Sequence, residues 1–179
     1  MMLIFGDGGV LDFELNFLRE LMRVVDGHLA DLEERAVRCG DPDQFGILDS
    51  MEHVTGFGFV ACQRYVTAIA GDLRVAKSEA LDNGPIHSSR HTVASLVNHA
   101  ANYWNHAEEW SPDASKRAWD RTIAAVVALA GDRSDYPLIS FLSELVAPAQ
   151  SRFGALVPRL EEWREAVRGA RRLSGSAGA

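Results

Sequence analysis

Between Leu15 and Ala36 the chain repeats apolar residues at alternating steps of three and four: Leu15, Leu18, Met22, Val25, Leu29, Leu32 and Ala36. That spacing follows the turn of an α-helix and keeps one stripe of side chains pointed the same way. The segment is therefore expected to be a helix that buries its stripe against other helices. Phe17, Leu21 and Val24 are read as widening the stripe beyond the seam of a two-stranded coil, which points to bundle packing. Asp12 stands where an N-cap belongs, and Cys39-Gly40 followed by Asp41-Pro42 ends the run.

The rest of the chain reads the same way. A second helix is expected to open at Asp49, with Glu52 completing a capping box. It runs through Val54, Phe57, Ala61, Tyr65, Ile69 and Leu73, and the stretch ends at Asn83-Gly84-Pro85. Gly56 and Gly58 each weaken it by roughly 1 kcal/mol against Ala, unless they serve close helix approach, and the sequence leaves that choice open. A third helix is expected from about Ser89, capped by Ser88 or Ser89, to Trp110, before Ser111-Pro112. A fourth follows Asp113, with Trp119, Ile123, Val126 and Ala130 on one face. Gly131 to Pro137 reads as a turn, and a fifth helix covers Leu138 to about Ala147. Pro148 then kinks the chain or starts a new helix. Phe153, Leu156, Leu160, Trp163 and Val167 mark the last helix, whose C-terminal dipole suits Arg168, Arg171 and Arg172. No run alternates in polarity long enough to make a strand, and Gly6-Asp7-Gly8-Gly9 reads as an N-terminal turn. The expected fold is an all-α bundle of five to six helices, one domain over residues 1–173, with 174–179 as a flexible tail.

Composition narrows the setting. At 179 residues and 47% hydrophobic, the chain can bury a core without staples. Its two cysteines, Cys39 and Cys62, form no C-x-x-C pair, which fits reduced thiols in a bacterial-type cytosol. The apolar run Met1 to Phe5 is too short for a signal peptide, and no run reaches the roughly 20 residues that span a bilayer, so a cytoplasmic protein without membrane contact is expected. The net charge of −7 is uneven. Residues 1–54 carry 12 acidic and 4 basic side chains. That imbalance disfavours a grip on nucleic-acid phosphates and suits a basic protein partner, with Glu33 and Glu34 as the partner-binding acidic face.

The segment from Ser89 to Trp110 concentrates the polar chemistry. On a helical wheel Val93, Leu96, Val97, Ala100, Trp104 and Ala107 gather on one side. His91, Ser95, His99, Asn102, His106 and Glu109 gather on the other, as a candidate binding surface that could equally be the wet face of the helix. Three of the chain's six histidines lie on this stripe. Imidazole is the side chain best suited to proton transfer near neutral pH, so His106, Asn102 and His99 are the candidate catalytic residues.

The stretch Ala101-Asn102-Tyr103-Trp104-Asn105-His106-Ala107-Glu108-Glu109-Trp110 resembles an Asn-Tyr-x-Lys-His-x-x-Glu-Trp segment of small bacterial helical proteins, some of them similar to HEPN-type domains of defence and toxin–antitoxin systems. Asn105 stands where that pattern has Lys. The resemblance implies a homodimeric, metal-independent ribonuclease that uses an Arg and a His four to six residues later at a cleft between protomers. Arg90 and His99 are too far apart for that pair. Arg23 and His28 have the spacing, although Val24 replaces the usual polar residue and Gly27 is expected to interrupt the helix.

Other chemistry is sparse. His87 and His91, four apart, can share a metal from one helix face, but no third ligand is assigned and there is no H-E-x-x-H. The glycine-rich start is neither a Walker loop nor a dinucleotide fingerprint. The leading expectation is a non-catalytic interaction protein of the immunity, antitoxin or defence kind. It would have no cofactor, a basic protein partner and a homodimeric state. A HEPN-like ribonuclease, for which RNA is the substrate, and a metal-binding bundle are the alternatives.

Overall fold

A computed structural model of the chain describes residues 3–6, 9–88, 91–106, 117–131 and 134–176. Its helices are α1 (Phe13–Arg38), α2 (Ile47–Leu73), the short α3 (Lys77–Leu81), α4 (Val93–Asn105), α5 (Arg117–Ala130), α6 (Pro137–Val146) and α7 (Val157–Ser176), with a 3-10 turn at Phe153–Ala155. Two small antiparallel hairpins interrupt the helical order. One pairs β1 (Leu3–Gly6) with β2 (Gly9–Asp12), and the other pairs β3 (Ile86–Ser88) with β4 (His91–Thr92). The all-α architecture is as expected, the extra helix being α3. No described helix is long and apolar enough to cross a membrane.

The α1 stripe buries Leu15, Leu18, Met22, Leu29 and Leu32, and Asp12 is the N-cap, its Oδ1 accepting from the Leu15 N–H at 2.8 Å. Gly27 does not interrupt the helix, which runs unbroken past it. The second helix departs from the reading. It starts at Ile47 because Gly46 takes the left-handed turn (φ 64°) that a side chain would resist. Glu52 completes no capping box. Its carboxylate reaches α6 and accepts from the Leu138 and Ile139 N–H groups at 2.8 and 3.0 Å, capping a helix start to which the N-cap residue, Tyr136, offers no side-chain cap. α2 ends at Arg74, well before Asn83.

α2 lies between α1 and α4 and runs antiparallel to both: Arg64 stands 3.8 Å from Glu14, Gln63 bonds Asn98, and Gly56 faces Trp104. The two glycines that the sequence left undecided are contact sites. A Cβ on Gly56 would lie 2.3 Å from the Trp104 ring, and one on Gly58 would lie 2.3 Å from the buried Phe153 ring. α7 returns antiparallel to α1. Asp26 caps the 3-10 turn through the Phe153 and Gly154 N–H groups, both at 2.8 Å, Arg19 pairs with Glu161 at 2.6 Å, and Arg164 reaches Asp12 at 2.7 Å. Trp163 is fully buried, as its spacing implied, and its Nε1 donates to the Ala80 carbonyl at 2.8 Å.

The last helix opens at Val157, after the 3-10 turn, and continues through Ser176 into the expected tail. The third is shorter than expected. Thr92 caps it in place of a serine, and it ends at Asn105. Asp113 and the segment 107–116 lie outside the described residues, as does the side chain of Trp119.

Three substitutions test the packing. Asp12→Ala removes a cap and leaves Arg164 Nη1 and the Tyr65 hydroxyl without their buried acceptor, although Glu165 still pairs with the Arg164 guanidinium, and about 2–4 kcal/mol of unfolding free energy should be lost in urea titration. Gly58→Ala should cost about 1–3 kcal/mol through overpacking against Phe153. Gly71→Ala in the same helix, where nothing lies within 4 Å of the new Cβ, should be neutral or gain a few tenths of a kcal/mol.

Candidate functional site

The polar stripe starts before the helix. His91 lies in β4, and its ring meets that of His99 edge to face, centroids 5.6 Å apart. Thr92 fixes the helix start by accepting from the Ser95 N–H at 3.1 Å and donating to the Leu81 carbonyl. From there Val93, Ala94, Leu96, Val97, Ala100 and Ala101 are buried, as the wheel requires, whereas Trp104 is only half-buried, against Gly56.

The opposite side of α4 is no open surface. Ser95, His99 and Asn102 are all half-buried, because α2 and α5 flank the helix. Gln63 of α2 donates to Asn102 Oδ1 at 2.8 Å and to Asn98 Oδ1 at 3.0 Å. His99 Nδ1 lies 3.3 Å from Thr122 Oγ1 of α5. Burial, then the nearby His91 and Arg121, hold the His99 pKa below the usual imidazole value, so the ring is neutral at physiological pH. His106 is half-buried at the helix C-cap, and Glu109 lies outside the described residues. The stripe is a polar seam between helices, not one five-turn surface.

The other candidates are dispersed. Arg23 and His28 are both exposed on α1, but five residues of continuous helix set them about 140° apart. Arg23 lines a groove of about 250 Å³ between α1 and the start of α7, and His28 faces away from it. The structure does not bring this pair together within one chain. Glu33 makes a two-pronged ion pair with Arg152, at 2.8 and 2.5 Å, and Glu34 pairs with Arg38 at 3.0 Å. Both acids of the expected partner face thus have internal partners. His87 and His91 sit on opposite strands of the β3–β4 hairpin, not on one helix, and His87 Nε2 faces the Glu144 carbonyl at 3.2 Å. Among the described residues no three His, Cys, Asp or Glu side chains converge to hold a metal.

What the sequence reading missed is an apolar surface. Phe17 and Val24, assigned to the core, are 63% and 70% exposed, and Phe13 beside them is 44% exposed. Phe57 of α2 is also 63% exposed, its ring 5.9 Å from Trp104. On the β1–β2 hairpin Ile4 and Leu11 pair directly and both stand exposed. The signal was present. Phe13, Phe17, Glu20 and Val24 follow one another at steps of four, three and four, a second stripe roughly 140° from the buried one.

No family model, no curated protein and no solved structure matches the chain.

The depressed His99 pKa has a sign that can be tested. Below the imidazole value of 6.5 the unfolded chain takes up a proton that the folded seam resists. Stability from this site is therefore complete above that pH and is lost as pH falls toward the lower folded-state pKa. His99→Gln should flatten this part of the curve, so between about pH 7 and 5.5 its Tm should fall less than that of the parent chain. Parallel Tm curves would show that His99 is not held neutral.

Proposed function

We propose that the chain is a non-catalytic, cytoplasmic interaction protein that works through the exposed apolar face of α1 and α2. The observation that carries this reading is the exposure of Phe17 and Phe57 in a fold that fully buries Phe59, Phe141, Phe153 and Trp163. Leaving a large apolar side chain in water forgoes about 1.5–3 kcal/mol relative to burying it. Several such side chains grouped on one face mark a docking surface more often than scattered single exposures do. The polar residues support the same reading. His99, Asn98 and Asn102 are held by neighbouring helices. An immunity- or antitoxin-type role, in which a small helical protein covers part of a larger machine, is consistent with a rigid helical face of this kind.

Site-specific photocrosslinking tests the face. A benzophenone side chain placed at Phe17 or Phe57, in the cell that makes the protein, should give a discrete adduct on illumination. The same group at the exposed Ser78 of α3 should give none. Absence of any adduct from both α1 and α2 positions would remove the reading.

A further inference from the structure

Building on the reading of the α1–α2 face as a docking surface, we infer that its occupant is a second copy of the same chain, joined through an antiparallel pairing of α1 with α1. Area is the first argument. Phe13, Phe17 and Val24, with Ile4 and Leu11 of the hairpin, leave on the order of 500 Å² of apolar surface in water, taking an aromatic side chain at about 200 Å². A standard interface buries about 800 Å² per partner, so this face supplies most of the dry centre that a stable dimer needs, and polar neighbours complete the rim.

Charge is the second argument, and it selects among partners. The chain as a whole is acidic, but this face is not. Four of the twelve acids in the first third are taken up by internal partners: Asp12 by Arg164, Asp26 by the 3-10 turn, Glu33 by Arg152 and Glu52 by α6. Along the exposed side of α1 the remaining charges alternate, Glu20, Arg23, Asp31 and Arg35, two of each sign. A basic partner gains little from such an edge. A reversed copy of the same edge is complementary to it.

The register follows from placing apolar residues on one another. In an antiparallel pair, residues whose numbers add to about 41 face each other. Phe17 then packs on Val24 of the second copy, and Phe13 packs over His28 and Gly27, where nothing lies within 4 Å of the position a side chain would occupy. Glu20 comes beside Arg23 of the second copy, twice by symmetry. A parallel pairing would set Glu20 on Glu20 and Arg23 on Arg23.

Sedimentation velocity on the purified full chain, from micromolar to hundreds of micromolar, tests the inference. The expected result is a species of twice the chain mass that Phe17→Glu converts to monomer while its helical circular dichroism stays that of the parent. Glu20→Arg alone should weaken the dimer about tenfold or more, and Glu20→Arg with Arg23→Glu should recover most of it, since the swapped pair re-forms across the two-fold. A chain that is monomeric throughout, or a dimer whose mass Phe17→Glu leaves unchanged, overturns the inference. The photocrosslink separates the two levels. An adduct of twice the chain mass is expected. An adduct of any other mass overturns the second copy as occupant but keeps the face as a docking surface, whereas no adduct removes both.

Discussion

Asp12 is the group on which the arrangement of the helices turns. Its carboxylate is 5% exposed, and each of its oxygens has an assigned task. Oδ1 caps α1, and Oδ2 accepts from the Tyr65 hydroxyl at 2.9 Å and from Arg164 at 2.7 Å. A buried charge is tolerated only where its bonds are complete, so the end of β2, the start of α1, the middle of α2 and the middle of α7 must meet at one point. Burial, then the Asp12 charge, push the Tyr65 phenol far above its ordinary pKa, which keeps it a donor at any physiological pH. With α7 fixed there and the turn that precedes it held at Asp26 and Glu33, α1 is held along one side by polar contacts and from beneath by its apolar stripe. Its remaining side carries Phe13, Phe17 and Val24, which no described element covers over.

Much of this frame was legible in the sequence. The α1 stripe, its Asp12 cap, its stop at Cys39 and the core place of Trp163 all follow from local spacing, because each depends on one helix and its period. The failures share a cause. Glu52 lies three residues after Asp49 and so looks like half of a capping box, but its partners belong to α6, 86 and 87 residues away. Phe17 and Val24 were grouped with the core because wide stripes are common in bundles. Only angular bookkeeping against the heptad positions separates them. The β1–β2 strands are too short for alternation to register, although an Asp-Gly pair between apolar runs is a known hairpin signal.

The polar stripe of α4 shows the limit of a helical wheel. A wheel assigns one buried and one wet side, which is correct for a helix with a single neighbour. α4 has α2 and α5 on its flanks as well as the core beneath, so its polar side chains became the contacts between helices. The acidic first third teaches the same lesson in charge. Four of its carboxylates cap helices, cap turns or neutralise arginines from distant parts of the chain, and a count along the sequence cannot distinguish those from charges presented to a partner.

The seam and the docking face are linked through α2. Gln63 reaching both Asn98 and Asn102 fixes how α2 and α4 slide past each other, as a buried amide does in a coiled coil. Gly56 against Trp104 fixes the same register sterically, since one turn of slippage would set a side chain against the indole. These contacts lie on the α4 side of α2. They hold Phe57, next to Gly56, at a set height on the outer side of the helix, with the Trp104 edge behind its ring and His53 4.8 Å from the same indole. The aromatic surface is therefore ordered before any partner arrives. A surface that need not be ordered on binding loses less entropy when it docks, and more of its apolar area is expressed as affinity. The helix that carries His99 thus acts on the aromatic surface through Trp104, which backs the Phe57 ring.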